Sequence, residues 1–306
     1  MPDARQNRWT PVALGIATIL LWSTTSSAVS MAYRWGATPL HVVSIACLAA
    51  LIFNLAAALL FEGPSSFPRT FSELSRLAAL GFLGIFVYSG AFYRGIGVGG
   101  PVYPLLGNYL WPSFLVFLSV LRRRSVAHPA GWIGLALSFS GVCLAVLVQR
   151  GAENAAYSSP AGGIALGVLA ALSWAIFSSY ASEVQSKPFA SQTIYNAAGM
   201  AGFVVIIVLQ KGLPAISLRC ILLLSCLGAL VNGLAYVMWL MALRIGNPAR
   251  IAPLAYLCPF LSLMLVALVL GEQVRMLTYA ALVMNVAGVL IAERGVSMSE
   301  DALRNE

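Results

Sequence analysis

The apolar residues of this chain fall into long unbroken runs, not into stripes or alternating positions. Ten runs stand out, with edges near 11–33, 40–61, 74–93, 101–121, 130–149, 161–182, 191–210, 218–242, 248–270 and 275–293. A helix needs roughly 20 mainly apolar residues to cross the hydrocarbon core of a bilayer. The runs lack the apolar–polar alternation of barrel strands, so each predicts a membrane helix. The connections reach about a dozen residues at most, too short for a soluble domain between them. The expected fold class is all-α integral membrane, with ten transmembrane helices.

Composition agrees. Of 306 residues, 60% are hydrophobic and 9% charged, against about 25% charged in soluble domains. Mean hydropathy is +0.87. Lipid must therefore solvate much of this surface. The net charge of +8 hints at nucleic acid only until the charges are placed. With the N-terminus in the cytoplasm, the inside set is Arg5, Arg8, Arg69, Arg76, Arg122, Arg123, Arg124, Lys187, Arg244, Arg250, Arg294 and Arg304. The outside set is half as large: Arg34, Arg94, Arg150, Lys211, Arg219 and Arg275. That bias predicts both termini inside and contact with lipid headgroups, not nucleic acid. The first run mimics a signal peptide, with Arg5 and Arg8 before it and Ser26-Ser27-Ala28 as a weak cleavage site. Its partner later in the chain argues against that reading. The five cysteines lie in or beside apolar runs without metal-like spacing, and read as packing residues.

That partner belongs to an internal repeat. An offset of 152 residues places Gly15, Leu20, Trp22, Ser26, Ser27 and Ser30 on Gly167, Leu172, Trp174, Ser178, Ser179 and Ser182. An offset of 147 places Gly99, Pro101, Tyr109, Leu110, Pro112, Gly141 and Val142 on Gly246, Pro248, Tyr256, Leu257, Pro259, Gly288 and Val289. Residues 1–150 and 151–306 thus form two five-helix repeats of one transport domain. Five is odd, so the second repeat enters the membrane from the opposite side. Inverted repeats of this kind build transporters, with a substrate site near mid-membrane.

Candidate chemistry is sparse and uncharged. Pro112 and Pro259 sit deep in the fourth and ninth runs, where proline removes a donor and bends a helix. They read either as kinks tolerated in a packed bundle or as bends facing a cavity that serve gating. Trp9, Trp35 and Trp132 lie at run ends as interfacial anchors, whereas Trp22, Trp111 and Trp174 lie near mid-membrane and Trp239 closer to the cytoplasm. The central tryptophans are either packed core or a wall that stacks on a substrate, which Tyr88, Phe92, Tyr109, Tyr236 and Tyr256 extend. Ser26 and Ser178, among other hydroxyls, and Asn108 and Asn232 either bond their own helices or supply neutral polar contacts.

No Asp, Glu, Lys or Arg lies near a run centre. A substrate with a fixed net charge would go uncompensated there, so phosphorylated sugars and nucleotide conjugates are disfavoured. A zwitterion fits better. Gly95-x-Gly97-x-Gly99-Gly100 lacks the preceding strand of a nucleotide loop. The two histidines, His41 and His128, lie at run edges, so neither a metal site, a cofactor nor an enzymatic triad is expected.

Asn108-Tyr109-Leu110-Trp111-Pro112-Ser113 and Leu21-Trp22-Ser23-Thr24 resemble the drug/metabolite transporter superfamily in its ten-helix EamA-type branch, and within it an aromatic amino acid exporter. Pro259, Gly271-Glu272 and Gly288-Val289 carry the broader pattern in the second half; Arg124-Ser125 stands where the first half would have Gly-Glu. The resemblance implies export of aromatic and other apolar amino acids from the cytoplasm, and a central cavity lined by Tyr88, Trp111 and Trp174. The expectation is a multi-pass inner-membrane exporter of neutral amino acids working by alternating access. The rivals are an exporter of drugs or lipophilic cations and, less favoured, a non-transporting scaffold.

Overall fold

The computed structural model describes residues 10–121, 129–149, 158–181, 184, 186–245, 255 and 257–304. Among these the secondary structure is helical throughout. The helices are α1 (Thr10–Arg34), α2 (Pro39–Glu62), α3 (Phe71–Gly99), α4 (Val102–Asn108), α5 (Trp111–Leu121), α6 (Pro129–Gln149), α7 (Pro160–Ala181), α8 (Pro188–Leu209), α9 (Leu218–Ala242), α10 (Cys258–Leu270) and α11 (Met276–Arg304). Six of them, α1, α2, α3, α7, α8 and α9, are long and apolar enough to cross a membrane. Half or less of each such span is buried inside the protein. The remainder includes apolar side chains such as Leu60 and Phe61, each 78% exposed, which suits lipid as the outer solvent.

One predicted segment differs. The run 101–121 is two helices, α4 and α5, parted at Tyr109-Leu110. Proline at 112 has no N–H to offer the Asn108 carbonyl, and its ring conflicts with a helical carbonyl at that position. The chain instead turns, with the Tyr109 and Leu110 N–H groups donating to Leu105 and Gly107. Pro112 and Pro259 both stand second in their helices, α5 and α10, where a missing donor costs nothing. They start helices rather than bend them midway.

The chain folds into two compact units. The first comprises Met1–Phe86 and Gln185–Leu265, the second Val87–Val184 and Val266–Glu306. Each draws on both sequence repeats.

In the first unit α9 packs on α2 and α3 on α8, each through a glycine. A Cβ at Gly228 would collide with the backbone of Ala46, and one at Gly81 with the backbone of Tyr195. The 147-residue offset carries Gly81 onto Gly228. Gly81 immediately precedes the π-helical stretch Phe82–Val87 in α3, and Gly228 lies within the stretch Leu227–Ala235 in α9. Such stretches widen the helix locally and concentrate at functional sites. At the start of α2, Thr38 N–H donates to His41 Nδ1 at 3.0 Å, so Nε2 carries the proton and donates to Pro214 O at 2.8 Å. Buried His41 thereby ties the loop before α9 to the cap of α2. His41→Ala is expected to lower stability by about 1 kcal/mol or somewhat more, because it removes the buried imidazole and the hydrogen bond that ties the loop; thermal unfolding in detergent reads this.

In the second unit α6 and α11 pack antiparallel. A Cβ on Gly141 would lie 2.6 Å from Asn285 N, and one on Gly288 would strike the backbone of Ser138. The same offset of 147 relates Gly141 to Gly288 and Ser138 to Asn285, so the pair meets through equivalent residues of the two repeats. Asn285 Nδ2 donates to Ser138 Oγ at 2.8 Å, and that hydroxyl lies 2.7 Å from Ser113 Oγ of α5.

Candidate functional site

The centre of the second unit is aromatic. Trp174 on α7 lies against Tyr88 on α3, with ring centroids 5.0 Å apart, and against Phe177 one turn on, at 5.2 Å. Tyr88 stacks nearly parallel to Phe92, one turn along α3, at 6.0 Å and 8°. Glycines make this approach possible: Gly99 meets Gly163, and a Cβ on Gly95 would come within 2.9 Å of Pro104. Trp174 and Tyr88 are half-buried, so their rings keep an open edge, whereas Phe92 is buried.

The broken helix α4–α5 enters the same unit. Leu110 forms a buried core with Ala171 of α7, and Trp111 packs on it. Tyr109 is buried. Asn108 is buried too, and its Oδ1 has no hydrogen-bond partner. An unmet amide oxygen in an apolar interior costs about 1–3 kcal/mol, which a polar ligand group recovers. Ser178 on α7 is half-buried.

A second aromatic set lies in the first unit. Trp22 of α1 meets Tyr236 at 5.8 Å and Trp239 at 5.4 Å, both on α9. Trp22 and Trp174 are equivalent in the repeat, and each meets rings on a helix of the other repeat, Tyr236 and Trp239 for Trp22 and Tyr88 for Trp174. Ser23 Oγ donates to Ile19 O at 2.7 Å and lies 3.6 Å from the Cys258 thiol. Ser26 is buried with an unpartnered Oγ, as are Ser27 and Ser30. Asn232 is buried in the π-helical stretch of α9, and Pro259 is buried at the start of α10.

The candidate residues are therefore distributed over both units. Tyr88, Phe92 and Trp174 come together, as do Trp22 and Tyr236. Trp111 packs on the Leu110–Ala171 core, and Ala171 precedes Trp174 by three residues on α7. Tyr256 lies outside the described residues. Sequence reading missed Phe177, whose spacing of three from Trp174 was a usable signal. It also placed Trp239 by depth rather than beside Trp22, and passed over Asn54, Gln192 and Asn196, lone amides in apolar runs.

An all-helical fold with apolar exposed spans and an uncharged aromatic interior defines a multi-pass membrane protein. Residues 9–147 and 161–293 each match the EamA-like transporter family, and the chain belongs to it. It is thus a membrane transporter, of a family not composed of enzymes. The two matches fall on the two sequence repeats. The sequence has no significant match among curated proteins. The fold resembles a solved structure titled only "Crystal structure of protein", with a TM-score of 0.70 and 21% identity over 95% of this chain and 99% of the other.

Proposed function

We propose that this transporter exports neutral amino acids, aromatic and other apolar ones, from the cytoplasm across the inner membrane by alternating access. The observation carrying the reading is the Trp174–Tyr88–Phe92 set in the same unit as the unpartnered Asn108 oxygen. Rings take the apolar side chain. An amide oxygen accepts from an ammonium group, and half-buried Ser178 is a hydroxyl on the same helix as Trp174. No charged side chain lies near the centre of a span, so a zwitterion of zero net charge avoids the penalty a fixed net charge would meet. Trp22, Ser26, Asn232, Tyr236 and Tyr256 are proposed as further substrate contacts, within the first unit. Pro112 and Pro259 are proposed to mark where gating segments turn. The likeness of Asn108–Ser113 to an aromatic amino acid exporter supports the same substrate class.

The test is flux from purified protein in liposomes, with radiolabelled Trp, Phe, Leu, Thr and Lys loaded separately, with and without a pH gradient. Flux of the neutral amino acids without Lys is expected. Absence of flux for all five, with movement of a quaternary ammonium dye instead, would assign the rings to cation–π binding of lipophilic cations.

A further inference from the structure

Three spans of the first unit end around one cavity. The connection from α2 to α3 and the start of α8 enclose about 400 Å³, within the range of small-molecule pockets. Its charged lining is Glu62, Arg69, Glu73 and Lys187, with the hydroxyls of Ser65 and Ser186 beside them. The local chain shapes the opening. α2 closes on Gly63 at φ 78°, a left-handed turn that suits glycine. A short 3-10 turn over Pro64–Ser66 follows, and Thr70 then caps α3 by accepting from the Glu73 N–H at 3.3 Å.

The two acids are already engaged. Glu62 accepts from the Phe189 and Ala190 N–H groups at 3.0 and 2.9 Å, so it caps α8, whose N-terminus carries partial positive charge. Glu73 stands in the first turn of α3, where the helix dipole also favours an acid, and accepts from Ser186 Oγ at 3.1 Å. The two cations are not engaged. Among the described residues, the exposed Arg69 and Lys187 side chains make no hydrogen bond or ion pair. The charge this cavity offers to a ligand is therefore positive.

The rim beside it is apolar. Leu60 and Phe61, at the end of α2, are each 78% exposed, and Phe71, at the start of α3, is 84% exposed. The Phe61 ring lies 6.3 Å from the ring of Phe189, the residue whose N–H meets Glu62. Apolar rim and charged cavity thus adjoin at the contact between α2 and α8. A free anion gains nothing from such a rim, whereas an amphiphile with an anionic head gains from both. We infer that the cavity seats the phosphodiester head of an anionic membrane phospholipid, with its acyl chains along Leu60 and Phe61. The Arg69 guanidinium takes two phosphate oxygens, and Lys187 and Ser65 donate to the others. A zwitterionic head brings an ammonium group into a cavity whose carboxylates are taken. The charge bias of the sequence assigns both cations to the cytoplasmic side, where the leaflet surface is negative. The site stands or falls independently of the amino acid reading.

Lipid binding to purified protein in uncharged detergent tests it without any flux measurement. Short-chain phosphatidylglycerol is titrated against phosphatidylcholine of equal chain length and against glycerol phosphate, with thermal unfolding and native mass spectrometry as readouts. Phosphatidylglycerol alone should raise the unfolding temperature and stay bound. Arg69→Gln and Lys187→Gln should each weaken its binding about fivefold; both side chains are exposed, so the variants stay folded. Lys211→Gln, beyond the far end of α8, should leave the affinity unchanged. Glu73→Gln keeps an acceptor for Ser186 but removes a negative charge from the lining, so it should strengthen binding. Equal binding of the two lipids overturns the site, as does an equal loss in Lys211→Gln and the two cavity variants. Stabilisation by glycerol phosphate at the same concentrations would make the cavity a small-anion site and overturn the assignment to lipid.

Discussion

Gly167→Leu is expected to yield no monodisperse protein, and Gly167→Ala to lower stability by about 2 kcal/mol or more. A Cβ at Gly167 would strike the Pro104 carbonyl, so α4 and α7 touch backbone to backbone. Pro104 is fixed by its ring, and Gly107 one turn on would place a Cβ 2.6 Å from Ile164 O. No flexible side chain lies in the gap to give way. Close helix contact is a main source of cohesion in lipid, where apolar burial between helices gains little. Size-exclusion profiles and thermal unfolding in detergent check this. Gly36 is the control. Its φ is +90° with open space around the Cβ position, so Gly36→Ala should cost only about 1–2 kcal/mol, through left-handed backbone strain. If Gly167→Ala unfolds like the parent, α4 and α7 do not approach as closely as described.

The second large effect is on transport. Trp174→Ala should reduce flux about tenfold or more while the protein remains folded, and Trp174→Phe should recover part of it. The indole contacts Tyr88 and Phe177, and aromatic pairs contribute about 0.5–1.5 kcal/mol each beyond area burial. In the proposed site the ring would also meet the substrate, and each factor of ten lost in affinity corresponds to about 1.4 kcal/mol. The loss should appear as a raised half-saturation concentration for apolar amino acids. Unchanged flux in Trp174→Ala would remove this residue from the proposed site. A matching decrease in thermal stability and folded yield would make its role structural.

Parts of the candidate residue sets were legible beforehand. Trp22 and Trp174 stood out because the repeat aligned them, and Asn108 because an amide interrupts an apolar run. Pro112 announced a helix irregularity, but whether it bends a helix or starts one depends on how the preceding turn ends; that turn closes at Tyr109 and Leu110. The π-helical stretches Phe82–Val87 and Leu227–Ala235 had no sequence signature. The close approaches of Gly81 to Tyr195 and Gly228 to Ala46 beside them are likewise a tertiary circumstance. The same holds for Gly141 and Gly288, whose match in the repeat gave no clue that they pack on Asn285 and Ser138.

The sequence by itself determined that the chain is helical, lies in lipid, repeats itself and keeps fixed charge out of its spans. These follow from run length, composition and ordered matches, which need no knowledge of neighbours. Tertiary structure alone decided which rings meet, which glycines carry the crossings and which amide oxygens stay unmet. The physical reason is that lipid and protein interior are equally apolar. In water, a hydrophobic stripe tells which face of a helix is buried. In a bilayer both faces read alike, so the inner face of α2 or α7 becomes visible only through the helix packed against it.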